Sequence, residues 1–374
     1  MWAEKPAAFL IIHGIGEQNP YETLDSFVRP FWSLLEKENM PRKVTCLHKC
    51  EKRKGWIENY VSLKLDQSGT PIDFFEHYWA NIPQRRVNLQ EIFDWLITTS
   101  DGAGKFYEEN NKLAAKYEEL GVKAFKNGKF EKYWYLRHMG VFLRLLSFIK
   151  ITRISYLDPV INLFLNEAKQ VLISYLGDVV AYTSTDIKSK TFEIRKQILD
   201  GAVEHLKLLL KDERYGQIIV AGHSLGSVIG YDCLNRINLQ MNVDPGMKAN
   251  AGKIKGFVTF GSPLDKIAFF FREHTKPEEF IRRQILSHFH SFKSLNLNLK
   301  KDETEIENPY QSILDKKVYW MNFWNPKDPI SGHLDFYDVD ENIKLDLRSA
   351  FGLAHTKYWG FSEMYKNISK RYLI

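Results

Sequence analysis

Ile218-Ile219-Val220-Ala221-Gly222-His223-Ser224-Leu225-Gly226-Ser227 is an apolar run that passes straight into G-x-S-x-G, and a helix-compatible segment follows it. Apolar residues without polar alternation are what a strand buried on both faces of a parallel sheet requires. The order strand, glycine-flanked serine, helix predicts a nucleophile elbow, a sharp corner that holds a serine hydroxyl clear of the sheet. Gly222 and Gly226 have a steric role in such a corner. The serine backbone is strained there, and a Cβ two residues to either side would collide with the neighbouring strand or helix.

Outward from this corner the pattern alternates between strands and helices. Upstream, Phe192 to Leu210 predicts a helix with Ile194, Ile198, Ala202 and Leu206 on one stripe. Downstream lie a helix through Val228, Ile229 and Leu234, a strand at Phe257–Phe260 ending in Gly261-Ser262-Pro263-Leu264-Asp265, and a strand at Val318–Trp324 ending in Asn325-Pro326-Lys327-Asp328-Pro329. At the N-terminus, Ala7 to Ile12 is a second continuous apolar run, ending in His13-Gly14-Ile15-Gly16. A helix is predicted from Tyr21 to Glu38, then short strands at Val44–Leu47, Tyr60–Leu65 and Pro71–Trp79. Strands alternating with helices predict an α/β fold with a doubly wound, mostly parallel sheet, whose ligands bind at the carboxyl ends of the strands.

Between Gln84 and Thr185 strand signals vanish, and helix-period segments occupy Leu89–Ile97, Phe106–Lys126, Tyr133–Ile149 and Pro159–Val180. Three parts follow: core residues 1–83, a helical insertion at 84–185 placed before the nucleophile strand, and core residues 186–374 carrying the elbow. The stretch Val141–Ile149 is notably apolar. It reads as a core-facing helix, or as a lid helix facing lipid or acyl chains and touching a membrane surface.

Composition narrows the function classes. The chain has 374 residues, 44% hydrophobic and 14% aromatic, enough for one large α/β domain with an insertion or for two domains. A net charge of +6 is a mild excess of base, without the dense basic face or recognition motifs of a nucleic-acid binder, so no nucleic-acid partner is expected. The strongest basic run, His48-Lys49-Cys50-Glu51-Lys52-Arg53-Lys54, reads as a solvated loop, with weak attraction to an anionic membrane or substrate as the alternative. Three cysteines, an odd number, build no disulfide framework and suit a reducing compartment. Cys46 and Cys50 lack a matching Cys/His pair for zinc. The N-terminus lacks the basic region of a signal peptide, and no window of ~18 residues is free of charge. A cytoplasmic location is the expectation.

Serine is a poor nucleophile unless a histidine takes its proton and a carboxylate orients that histidine. With the order Ser, then Asp or Glu, then His, only His333 and His355 of eleven histidines lie beyond the strand ending near Asp328. His333 follows Asp328 too closely for a chain that must run through a helix and loop before returning to the serine. His355, in Leu353-Ala354-His355-Thr356-Lys357-Tyr358-Trp359, has that room and is the expected base. Asp328 is the expected acid, and Asp265, after the preceding strand, is the second candidate. The acidic cluster Asp335, Asp338, Asp340 and Glu341 lacks the glycine and terminal glutamate of an EF-hand loop and reads as solvated loop, so no metal is expected. A tetrahedral oxyanion needs two preorganised donors. The backbone N–H groups of Leu225, directly after the serine, and of Ile15, in the loop after the first strand, are the candidates.

Together these residues resemble the α/β-hydrolase superfamily, in particular its lipase/esterase-like branch. The resemblance rests on His13-Gly14-Ile15-Gly16, Gly222-His223-Ser224-Leu225-Gly226, Phe260-Gly261-Ser262-Pro263, Asp328-Pro329 and His355, which span nearly the whole chain outside the insertion. It implies an eight-stranded sheet, a Ser224/Asp328/His355 triad, and cleavage of a carboxylic ester through an acyl-enzyme with no cofactor. The chain departs from the family pattern in two ways: it starts almost directly at the strand bearing His13, so the usual first two strands are absent or replaced, and its insertion precedes the nucleophile. The expected substrate is a small-molecule or lipid ester with a hydrophobic acyl group. The alternatives are a thioesterase or acyltransferase using the same triad, or a non-catalytic hydrolase-fold binding module. A dinucleotide enzyme is disfavoured, because the first strand ends in H-G-x-G rather than in a G-x-G-x-x-G that enters a helix.

Overall fold

The computed structural model of the chain describes residues 5–14, 19–53, 56–66, 69–82, 104, 107–108, 111–119, 125–133, 192–265, 292–293, 310–328, 331–335, 337–347 and 353–373. Most of the expected insertion, including Val141–Ile149, lies outside the described residues.

The first strand, β1 (Ala7–Ile12), is buried along its whole length. Its side chains alternate between two apolar layers: Ala7, Phe9 and Ile11 point into one, and Ala8, Leu10 and Ile12 into the other. This is the period-2 consequence of a strand covered on both faces. Helix α1 (Glu22–Asn39) lies on the first face and buries Phe27, Phe31, Leu34 and Leu35 at helical spacing. Phe27 and Phe31 contact Phe9, with ring centroids 6.1 and 5.8 Å apart. Burying a side chain of this size is worth about 1.5–3 kcal/mol over leaving it exposed.

Strands β2 (Val44–Arg53) and β3 (Trp56–Leu65) form an antiparallel hairpin, and β4 (Ile72–His77) returns parallel to β1. β2 extends well beyond the expected Val44–Leu47. The basic run from His48 to Arg53 is therefore strand, paired residue by residue up to Arg53 opposite Trp56, not a solvated loop. Its polar residues suit an edge position, where one side of the strand faces water and charge discourages pairing with another chain.

Helix α2 (Asn111–Glu119) falls inside the expected Phe106–Lys126 helix. That helix does not reach Lys126, because β5 (Phe125–Lys126) pairs antiparallel with β6 (Lys129–Phe130). Asn127 and Gly128, both at positive φ (53° and 68°), make the turn. An Asn-Gly pair at positive φ is the natural two-residue hairpin turn, and it overrides the helical period here.

Helix α3 (Phe192–Lys211) buries the expected stripe Ile194, Ile198, Ala202 and Leu206 against the second face. Strand β7 (Gln217–His223) leads into α4 (Leu225–Met241), which is almost wholly buried. The short α5 (Pro245–Ala249) precedes β8 (Ile254–Phe260), β9 (Tyr319–Trp324) and β10 (Glu341–Lys344). β10 corrects the reading of the acidic cluster: Glu341 begins a strand parallel to β9, and Asp340 accepts the Trp320 N–H at 2.7 Å. The terminal α6 (Ser362–Tyr372) packs on α1 through Tyr365, whose ring centroid is 5.4 Å from that of Phe27.

Among the described residues the main sheet has eight strands in the order β10-β9-β8-β7-β1-β4-β3-β2. Neighbours from β10 through β4 are parallel, and only β3 runs against the rest. The α/β, mostly parallel architecture is thus as expected. Register aligns the ends: Ile12 pairs with His77 and with Gly222, His223 with Phe260, and Phe260 with Phe323. Five carboxyl termini therefore open on one edge of the sheet.

Candidate active site

The elbow forms where the sequence places it. Ser224 joins β7 to α4 with φ 54° and ψ −128°, and its N–H donates to the Phe260 carbonyl at 3.0 Å. A positive φ in a side-chain-bearing residue costs on the order of 1–3 kcal/mol, which the surrounding packing sustains. The two flanking glycines are required by contact. A Cβ on Gly222 would lie 2.5 Å from the Gly226 carbonyl oxygen, and one on Gly226 would lie 2.2 Å from that of Ile12. Behind the corner, the Ser227 hydroxyl donates to the Ser224 carbonyl at 2.5 Å, and its oxygen lies 2.7 Å from Ser262 Oγ.

His355 and Asp328 come together on this serine. His355 Nε2 is 2.9 Å from Ser224 Oγ, and His355 Nδ1 is 2.9 Å from Asp328 Oδ2. The Asp328 side chain is fully buried and that of His355 is 5% exposed, so the pair lies away from bulk water. Asp328 lies in the turn after β9, where its N–H donates to the Asn325 carbonyl at 3.0 Å. His355 lies in a short 3₁₀ segment, Leu353–Thr356, before α6.

The other candidates are engaged elsewhere. Asp265 is buried and accepts the Asp335 N–H at 2.9 Å. His333 Nδ1 lies 3.0 Å from Asp335 Oδ1, which Lys116 of α2 also reaches at 2.6 Å. Burial opposes the ionisation of Asp335, yet His333 and Lys116 hold it below its ordinary range. Lys116 thereby ties the region before β5 to the loop leading into β10.

Of the two expected oxyanion donors, Leu225 is the first residue of α4. Its N–H belongs to the helix-terminal groups that have no intrahelical acceptor and lie at the positive end of the helix dipole. Ile15 lies outside the described residues. Gly14 is described, and a Cβ there would lie 2.6 Å from Ser224 Cβ, so the loop after β1 departs directly beside the serine.

Sequence reasoning missed three supports. His13 stacks on Trp79, with centroids 4.8 Å apart and planes 3° apart. Trp79 also donates twice, from its backbone N–H to His13 Nε2 and from Nε1 to the His13 carbonyl, each at 3.0 Å. With Nε2 accepting, the ring proton sits on Nδ1, which is 2.6 Å from the Gly14 carbonyl. Burial pushes His13 down to about 4, so it stays neutral there. His223 donates from Nε2 to the His355 carbonyl at 3.1 Å, and burial, then the neighbouring His355, push it down to about 3. Tyr358 Oη donates to Asp328 Oδ2 at 3.0 Å. His13 and His223 stood inside the quoted motifs, but a motif does not reveal what its variable positions touch.

Comparison with protein-family models, with curated proteins and with solved structures finds no match to this chain. Among the described residues no group of His, Cys, Asp or Glu is arranged to hold a metal ion, and no helix is long and apolar enough to cross a membrane.

Proposed function

We propose that the chain is a serine hydrolase of the α/β-hydrolase type, cleaving a carboxylic ester with a hydrophobic acyl group. The observation that carries this reading is the unbroken hydrogen-bond relay from Ser224 Oγ through His355 to Asp328, anchored on a strained elbow at the carboxyl edge of a parallel sheet. The eight-stranded sheet supports the fold assignment, and the β2–β3 hairpin fills the edge that the family's first two strands would occupy.

In this reading Ser224 Oγ attacks the ester carbonyl carbon while its proton passes to His355 Nε2. Asp328 accepts the Nδ1–H, fixes the tautomer and stabilises the imidazolium. The tetrahedral oxyanion is held by the N–H of Leu225, at the start of α4, and by that of Ile15. His355 then protonates the departing alkoxide, which leaves an acyl group on Ser224. Water, deprotonated by His355, hydrolyses that ester and restores the serine. No step calls for a cofactor. Residues 84–185 supply the cap over the acyl group and contact a membrane surface where the ester is a lipid. Cysteine usage supports a cytoplasmic location.

Labelling by a fluorescent fluorophosphonate tests the assignment. The wild type labels strongly, and Ser224→Ala and His355→Ala abolish the signal. Folded wild type that stays unlabelled, even with residues 84–185 removed, would leave a hydrolase-fold binding module as the better description. Liposome pelleting with and without residues 84–185 tests the membrane contact, which requires that deletion reduce binding.

A further inference from the structure

The carboxylate of Asp328 receives more than its histidine. Oδ2, the oxygen that His355 Nδ1 approaches at 2.9 Å, is also 3.0 Å from Tyr358 Oη, and Tyr358 Oη is in turn 3.0 Å from Ser331 Oγ. Tyr358 is fully buried, and Ser331 is 6% exposed. The direction of this second branch follows from chemistry. An ionised carboxylate only accepts, so the Tyr358 hydroxyl donates to Asp328. Its oxygen then accepts from the Ser331 hydroxyl, whose one proton is shared between this oxygen at 3.0 Å and the Asn325 carbonyl at 3.3 Å. Two donor chains thus converge on one oxygen: Ser224 and His355 from one side, Ser331 and Tyr358 from the other.

We propose that Tyr358, polarised by Ser331, is a positioning residue that holds the Asp328 carboxylate and limits how much of its charge reaches His355. The proposal rests on the serine hydrolase reading and adds to it a residue that sets the strength of the base. A donor to a charged acceptor forms a strong hydrogen bond and draws electron density from it. Two donors on one oxygen share that density, so each weakens the other. The Tyr358 hydroxyl remains a donor across the working range, because burial and the Asp328 charge hold its proton in place. The titratable groups facing the His355 ring among the described residues are Asp328 after β9, Tyr358 on the following 3₁₀ turn, and His223 at the end of β7 with its ring centroid 4.9 Å away. Burial keeps His223 neutral. Removing the Tyr358 hydroxyl therefore alters the charge felt at His355 without adding or deleting a charge.

The test compares wild type with Tyr358→Phe, which keeps the ring packed beside Phe260 and His223, and with Ser331→Ala, which keeps the tyrosine. Two readouts are needed. The first is the NMR resonance of the His355 Nδ1 proton in the resting protein, assigned by its loss in His355→Ala. The second is the pH profile of fluorophosphonate labelling. In Tyr358→Phe the resonance moves downfield, and the acid limb of the profile moves to higher pH by about half a unit, a fraction of the shift a full charge partner produces. Ser331→Ala moves both in the same direction by less. A purely structural tyrosine would lower the melting temperature and leave both readouts where they are, and that result, or a shift in the opposite direction, would overturn the proposal. The resonance needs no turnover, so it decides the relay by itself. Failure of wild type to label strikes the hydrolase reading instead.

Discussion

His223 Nε2 donates to the main-chain carbonyl of His355 at 3.1 Å, so the residue before the candidate nucleophile holds the backbone of the candidate base. Its ring also lies against Phe260 and Trp359, with centroids 5.1 and 4.8 Å away. His223→Phe keeps the aromatic packing and removes the donor. Losing one buried hydrogen bond is worth about 1 kcal/mol, which converts to a fall in labelling rate of roughly fivefold if all of it is felt in the transition state. An unchanged rate with normal folding would show that the carbonyl needs no anchor.

The two carboxylates that sequence reasoning left in competition separate on contacts. Asp328→Asn replaces the acceptor of His355 Nδ1 with an amide that can force the wrong tautomer, and labelling falls by several orders of magnitude. Asp265→Asn alters the carboxylate that accepts the Asp335 N–H and leaves labelling near wild type. A collapse of activity in Asp265→Asn with normal stability would reverse these assignments.

Alanine at two glycines separates chemistry from folding. In Gly14→Ala the new Cβ meets the Ser224 side chain, and the expected result is loss of labelling with a modest fall in melting temperature. In Gly226→Ala the Cβ meets the backbone carbonyl oxygens of Ile12 and His13, which cannot rotate away. Overpacking of that kind costs about 1–3 kcal/mol or more. Thermal melts of both variants, read beside their labelling, distinguish the two effects.

Stability should rise from mildly acidic to neutral pH. Burial pushes His13 and His77 down to about 4 and His205 and His223 to about 3. Each is neutral in the folded chain at a pH where the unfolded chain, with its ordinary value of about 6.5, takes up a proton. The unfolded state then binds more protons, so stability is lost as pH falls from about 6.5 toward 4. Burial pushes Glu58 up to about 7, which acts in the opposite sense: the folded chain keeps a proton that the unfolded chain has lost, and stability drops as pH rises through that window. Burial raises Glu76 in the same sense, and four histidines outweigh two carboxyls. Each uncompensated proton contributes about 1.4 kcal/mol per pH unit, so urea midpoints at about pH 5 and about pH 6.5 should differ clearly. Equal midpoints would mean that these rings are not held neutral.

Legibility in the sequence followed burial. The runs at Ala7–Ile12, at 218–221 and at 256–258 are apolar because both faces are covered, and that uniformity is itself the signal. Ser224, Asp328 and His355 could be found because chain order and strand ends constrain where such residues must stand. β2 beyond Leu47, β10 and α6 were invisible for the opposite reason. Edge strands and a terminal helix bury one side at most, and their polar residues read like loop. Tyr358 and Ser331 carried no signal, since their roles come from a contact between segments that only the folded chain brings together.

The central position of β1 bears on how the chain assembles. Its neighbours are β4 on one side and β7 on the other, and β7 lies beyond the midpoint of the sequence. During synthesis β1 must wait with an open hydrogen-bonding edge and a bare apolar face until the polypeptide up to His223 has left the ribosome. The hairpin of β2 and β3 and the return strand β4 can form early around α1, but the sheet can then grow in one direction only, through a partner far along the chain. Contacts so distant in sequence slow folding and prolong exposure of sticky intermediates. Chaperone dependence, and aggregation of fragments that stop short of β7, are the expected cost of building the sheet around β1.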